Sequence, residues 1–134
     1  MIREVFVTNA VDVKPLVKDL RDKGENVCWI TISNTSDSAG RIIKGQGSNK
    51  DLLVMRFEDI PVNPLTPRQA RKIKNFVFNH HINSSENWIL VVNCIAGISR
   101  SAAIGRFCEK KLSIPVNFWT EPFPNRGVLS ALGI

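Results

Sequence analysis

VVNCIAGISRS, residues 91–101, is the stretch on which the fold prediction rests. It continues a short apolar, β-branched run that begins at Trp88, a pattern typical of a buried strand. Helical spacing starts at Ala102, so the strand is expected to deliver Cys94 into a tight turn that opens a helix. Free N–H groups and the helix dipole make such a turn attractive to an anion and favour a thiolate. With the guanidinium fork of Arg100 beside it, phosphate becomes the natural ligand.

The spacing of the reactive residues in this stretch is specific. Five residues separate Cys94 from Arg100, and Ser101 follows directly. This pattern resembles the Cys-x5-Arg-Ser/Thr loop of cysteine-dependent protein phosphatases. The string AGISRS at 96–101 looks like the dual-specificity and tyrosine phosphatase-like branch with its small bacterial and viral relatives. The family usually has histidine before the cysteine, where this chain has Asn93.

The resemblance implies a role for each residue of the loop. Cys94 would attack phosphorus and carry a phospho-cysteine intermediate, while Arg100 would bind two phosphate oxygens. Ser101 would donate a hydrogen bond that helps the thiolate leave in the second step. The resemblance implies neither a cofactor nor a metal ion. The phosphate-binding loop would consist of the backbone N–H groups of Ile95, Ala96, Gly97, Ile98, Ser99 and Arg100.

A phosphatase of this kind also needs a carboxylic acid to protonate the leaving group. Asp59 is the candidate, because the acid of the family lies on a loop upstream of the cysteine. The string RFEDI at 56–60 also looks like the segment found at this point in small bacterial phosphatase-like proteins. Glu58 is the alternative acid. Without a catalytic role, Glu58 and Asp59 would simply be a pair of surface acidic residues at the end of a strand.

Asn93 is the departure from the family pattern that bears on activity. In the family the preceding histidine holds loop carbonyls and helps to keep the cysteine ionised. An amide can form hydrogen bonds but carries no charge. We therefore expect slower turnover at acidic pH than in relatives that carry the histidine.

The rest of the chain alternates between strand and helix patterns. This order predicts an α/β fold: a single domain over residues 1–134, with a central, mostly parallel sheet flanked by helices, as in dual-specificity phosphatases. Because ligands in such sheets bind beyond the carboxyl ends of strands, Cys94 and Asp59 should meet at one edge. The predicted strands are 4–9, 27–33, 52–57 and 88–92, and the predicted helices are 12–23, 67–81, 99–112 and a last turn or two within 125–132.

Composition narrows the class of protein. The hydrophobic share of 43% suits a globular protein. No apolar run approaches the ~18 residues that a membrane span needs, and the first residues lack a signal-peptide pattern, so a cytoplasmic protein is expected. An odd number of cysteines without CxxC argues against a disulfide framework and a zinc site. Cys28, inside a predicted strand, is read as a buried structural thiol.

Net charge and loop length leave the substrate open. The chain carries a formal charge of +6, and residues 61–85 contain basic residues but no acidic one. A solvated helix face explains this segment most simply, and nucleic-acid binding would need more than charge.

The expected partner is a phosphorylated protein or another phosphomonoester. The alternatives are RNA 5′ ends, phosphoinositides and a phosphate-binding pseudophosphatase module. The polar segment 34–50 is either a surface loop or a rim of the substrate site.

Overall fold

The computed structural model describes residues 1–35 and 47–134. Strands and helices alternate along the chain, as predicted. No helix in these residues is both long and apolar enough to cross a membrane. The elements are β1 (Ile2–Thr8), α1 (Val13–Asp22), β2 (Val27–Ser33), β3 (Leu52–Arg56), α2 (Pro67–His81), β4 (Trp88–Asn93), α3 (Arg100–Leu112), β5 (Val116–Phe118) and α4 (Arg126–Ala131).

The sheet of the described residues has five strands in the order β3-β2-β4-β1-β5, and every pairing is parallel. The prediction of an α/β fold with a mostly parallel sheet is therefore confirmed. β4 occupies the centre, with β1 on one side and β2 on the other. Residues that follow β4 consequently emerge in the middle of the carboxyl-terminal edge of the sheet.

Helices cover both faces of the sheet. α1 buries an apolar stripe against one face, and this cluster includes Val91 of β4. Leu90 and Val92 point to the other face, where they join the larger cluster under α2, α3 and α4. Successive side chains of a strand point to opposite faces, so a central strand between two layers must be apolar throughout. This explains why β4 reads as an unbroken apolar run.

A capping box formed by Thr66 and Gln69 begins α2. The hydroxyl of Thr66 accepts a hydrogen bond from the N–H of Gln69 at 3.1 Å, and the side chain of Gln69 accepts from the N–H of Thr66 at 2.9 Å. Pro67 occupies the first helical position, where its missing N–H costs nothing. Two otherwise unpaired donors are thus satisfied reciprocally.

The structure differs from the predicted strands at β1 and β5. β1 begins at Ile2 and ends at Thr8, whereas the sequence pattern placed it at 4–9. β5 was not predicted at all, because three residues are too short to display a period of two. Its pairing with β1, Val5 opposite Val116, decides its conformation. Of the predicted loop 34–50, residues 36–46 lie outside the described part of the chain.

Two of the cysteines are buried in the core, as predicted for Cys28. Cys28 lies within β2 and Cys108 within α3, and neither side chain is exposed to solvent. Burial raises the pKa of the Cys108 thiol to about 12 and that of the Cys28 thiol further still. Both thiols therefore stay protonated and unreactive at neutral pH.

The capping box at α2 yields a test of the local energetics. Replacing Thr66 by alanine removes the acceptor for the N–H of Gln69, and we expect the free energy of unfolding to fall by about 1 kcal/mol. Thr66→Ser is the matched control, since it keeps the hydroxyl and should stay close to wild type. Denaturant unfolding of the three proteins measures the difference; equal losses in both variants would contradict the capping role.

Candidate active site

Cys94 directly follows β4 and lines a cleft of about 650 Å³ at the carboxyl-terminal edge of the sheet. Its side chain is 2% exposed, so the sulfur lies at the base of the cleft. The N–H of Gly97 donates to the sulfur at 3.2 Å, and the hydroxyl of Ser101 lies 3.1 Å from it. Donors at these positions stabilise negative charge on the sulfur.

Four carbonyl groups of the loop after Cys94 accept hydrogen bonds from other segments of the chain. The donors come from the segments after β1 and β5 and before α4. The bonds are from the N–H of Ala10 to Ile95 O (3.1 Å), from the indole of Trp119 to Gly97 O (3.0 Å), from the N–H of Phe123 to Ile98 O (2.9 Å) and from the N–H of Asn125 to Ser99 O (3.0 Å). In contrast, the N–H groups of Ile95, Ala96, Ile98 and Ser99 find no acceptor in the described part of the chain. A loop with bonded carbonyls and free amides is an anion-binding nest.

Arg100 is the first residue of α3, and its side chain is 4% exposed. One terminal nitrogen, Nη1, donates to the carbonyl of Phe57 at 2.7 Å and to the side chain of Asn34 at 3.0 Å. The Nε nitrogen is buried and has no acceptor within the described residues. A buried donor without a partner costs about 1–3 kcal/mol, which an anionic ligand in the cleft would recover.

Asp59 lies on the loop after β3 and lines the same cleft as Cys94. Its Oδ1 atom accepts hydrogen bonds from the hydroxyl of Ser99 and from the side-chain amide of Asn125, both at 2.8 Å. Oδ2 has no hydrogen-bond partner among the described residues. The carboxyl group is therefore held in place through Oδ1.

Glu58 points to a different partner. Its carboxylate accepts hydrogen bonds from the hydroxyl and the N–H of Thr35. These bonds, with a smaller contribution from the charge of Arg100, hold the pKa of the Glu58 carboxyl below its ordinary value. A carboxyl group with a lowered pKa is ionised at neutral pH and makes a poor proton donor.

Asn93 ends β4 and is completely buried. Its side-chain oxygen accepts a hydrogen bond from the indole N–H of Trp29 at 2.8 Å, which ties β4 to β2. Its amide nitrogen is 3.4 Å from the carbonyl of Cys94. The uncharged side chain thus supports the start of the loop and satisfies a buried indole at the same time.

The structure brings all the predicted site residues to one edge of the sheet. Cys94, Asp59 and Arg100 line one cleft, and the hydroxyl of Ser101 contacts the sulfur of Cys94. Three residues that hold this arrangement, Asn125, Asn34 and Trp119, are not predicted from the sequence. An asparagine before a short helix is a readable capping signal for Asn125, but nothing local indicated its bond to Asp59. Asn34 and Trp119 carried no signal.

Comparisons with known proteins agree with the fold. No family model matches the chain, and no curated protein matches it in sequence. The crystal structure of a PTP-2 phosphatase from Cydia pomonella superposes with a TM-score of 0.64 at 17% identity, covering 97% of this chain and 84% of the other. The human tyrosine phosphatase-like serine/threonine/tyrosine-interacting protein superposes with a TM-score of 0.65 at 21% identity, covering 97% and 93%. The chain therefore has the fold of the cysteine-dependent phosphatases, in the small form that the dual-specificity phosphatases share.

Proposed function

We propose that this chain is a metal-independent phosphomonoester hydrolase, a protein tyrosine or dual-specificity phosphatase that acts through a phospho-cysteine intermediate. The observation that carries the proposal is the set of unpaired donors around Cys94. Loop amides and the buried Nε of Arg100 have no acceptor among the described residues. Their arrangement suits the non-bridging oxygens of a phosphoryl group bound against the sulfur.

In the first step the thiolate of Cys94 attacks phosphorus, and the bond from phosphorus to the ester oxygen breaks. Charge on the non-bridging oxygens is stabilised by the loop amides and Arg100. The leaving oxygen takes a proton from Asp59, so that an alcohol departs rather than a basic alkoxide. The products of this step are the free alcohol and a phosphorylated Cys94.

In the second step water attacks the phospho-cysteine. The carboxylate of Asp59 takes a proton from that water, and the bond between phosphorus and sulfur breaks. The hydroxyl of Ser101, 3.1 Å from the sulfur, donates to the departing thiolate and lowers the cost of its charge. Inorganic phosphate then leaves, and the starting thiolate and acid are restored.

Asp59 suits the acid role better than Glu58. In each carboxyl group only one oxygen accepts hydrogen bonds from the described residues, but the bonds from Thr35 lower the pKa of Glu58. Ser99 belongs to the phosphate loop itself, so its bond to Asp59 sets the acid at the edge of the bound phosphoryl group. Both carboxyl groups line the cleft, and the difference between them lies in their hydrogen-bond partners.

The proposed substrate is a phosphorylated protein or another phosphomonoester whose ester oxygen faces Asp59. A reducing compartment such as the cytoplasm suits the chemistry, since Cys94 must remain a thiol. The second candidate function is a binding module that holds a phosphate group without turnover. It is favoured by the uncharged Asn93 and by the likeness to a human protein named as phosphatase-like and interacting.

Replacing the nucleophile tests the enzymatic proposal. We expect the wild type to hydrolyse p-nitrophenyl phosphate in the presence of EDTA, and Cys94→Ser to lower kcat on the order of 10⁴-fold or more. The matched control is Cys108→Ala, which changes a buried cysteine outside the cleft and should keep turnover near wild type. A wild type that binds a phosphopeptide but never hydrolyses it would favour the binding module instead.

Replacing the acid tests the role of Asp59. Asp59→Asn keeps an oxygen that can accept from Ser99 and Asn125 but cannot release a proton. We expect kcat/KM to fall on the order of 10²-fold for an alkyl phosphate, and much less for p-nitrophenyl phosphate, whose leaving group needs little protonation. Glu58→Gln is the matched control, with small effects on both substrates. Equal losses on both substrates in Asp59→Asn would show that another group is the acid.

A further inference from the structure

Trp119 directly follows β5, and its side chain contacts the proposed phosphate-binding loop at Gly97. Its backbone N–H donates to Val7 O at 3.1 Å, which continues the pairing of β5 with β1. Its indole N–H donates to Gly97 O at 3.0 Å. The side chain is nonetheless 49% exposed, so burial of apolar surface alone does not account for its position.

The loop leaves space for this indole because residue 97 is a glycine. Gly97 has a φ of +71°, a conformation that glycine adopts without strain. A Cβ atom at Gly97 would lie 2.5 Å from the indole nitrogen of Trp119 and 2.5 Å from the carbonyl oxygen of Thr8. Glycine at this bend therefore makes room for Trp119 on one side and for the end of β1 on the other.

The bond to Gly97 O also sets the direction of a neighbouring N–H. The carbonyl of Gly97 and the N–H of Ile98 belong to one trans peptide group, so they point in opposite directions. With the carbonyl held outward by Trp119, the N–H of Ile98 must point the other way. Ile98 lines the cleft, and its N–H has no acceptor in the part of the chain that the structure describes.

The other outward carbonyls of the loop do not depend on a side chain. Backbone N–H groups of Ala10, Phe123 and Asn125 bind them, and any residue except proline supplies such a donor. Only at Gly97 does the bond depend on which residue follows β5. A phenylalanine at 119 would keep the ring but leave this peptide group free to rotate.

We infer that Trp119 is a positioning residue for anion binding: its indole N–H holds the Gly97–Ile98 peptide so that the N–H of Ile98 points at a bound phosphoryl group. The inference rests on the proposed function for its effect on turnover. The effect of Trp119 on anion binding can be measured without turnover. Trp119 acts only through the loop, because it does not line the cleft.

The test compares Trp119→Phe with Trp88→Phe. Trp88 also uses its indole N–H, which donates to Ser84 Oγ at 2.9 Å, but it begins β4 at the opposite edge of the sheet. Both changes remove one indole hydrogen bond, and Trp88 also packs edge-on against the ring of His80, so Trp88→Phe should lose at least as much thermal stability as Trp119→Phe. Only Trp119→Phe should weaken binding of inorganic phosphate, measured by titration calorimetry, and lower kcat with p-nitrophenyl phosphate. We expect about tenfold for each, less than the 10²- to 10³-fold lost when an oxyanion donor is removed.

The outcomes separate this inference from the proposed function. A wild type that binds phosphate without hydrolysing a phosphomonoester overturns the hydrolase, while the change in phosphate affinity still tests Trp119. Phosphate affinity of Trp119→Phe within twofold of wild type overturns the inference. So does an equal loss of affinity in Trp88→Phe, because it would trace the effect to general stability. A wild type that binds no phosphate overturns both proposals.

Discussion

The arrangement of the site depends on one constraint: within the described residues, four N–H groups of the loop after Cys94 have no acceptor, while four carbonyls of the same loop are bonded. A buried donor without a partner costs about 1–3 kcal/mol, so a short loop would not hold several of them unaided. Segments distant in the chain provide the compensation by donating hydrogen bonds to the carbonyls of Ile95, Gly97, Ile98 and Ser99. The folded protein thus maintains a set of donors that have no acceptor among the described residues and that an anionic ligand could satisfy.

Sheet topology explains why distant segments reach the loop. β4 lies between β1 and β2, so the residues after all three parallel strands emerge beside Cys94. Ala10 follows β1 and binds the loop, whereas Asn34 follows β2 and binds the side chain of Arg100. The segment after β3 supplies Asp59, and the one after β5 supplies Trp119. Each parallel strand therefore contributes one residue to the same edge.

Asn125, at the start of α4, holds the part of the cleft that contains Asp59. Asn125 caps α4 through its side-chain oxygen, which accepts from the N–H of Val128 at 3.0 Å. Its side-chain nitrogen donates to Asp59 Oδ1 and to Ile60 O, at 2.8 and 2.9 Å. One buried side chain thereby links the start of a helix to the loop that carries the proposed acid. The same helix start and the loop after Cys94 are joined by the bond from Asn125 N–H to Ser99 O.

Local patterns in the sequence were sufficient for the alternation of strands and helices and for the strand, turn and helix around Cys94 and Arg100. These features depend on residues a few positions apart, and spacing along the chain reports them directly. Only the tertiary structure showed that β5 is a strand, that Glu58 is hydrogen-bonded to Thr35, and that Trp119 binds the loop. Each of these features depends on a partner far away in the sequence. Its energy arises from pairing across the sheet or from one side-chain hydrogen bond, and neither leaves a periodic pattern in the chain.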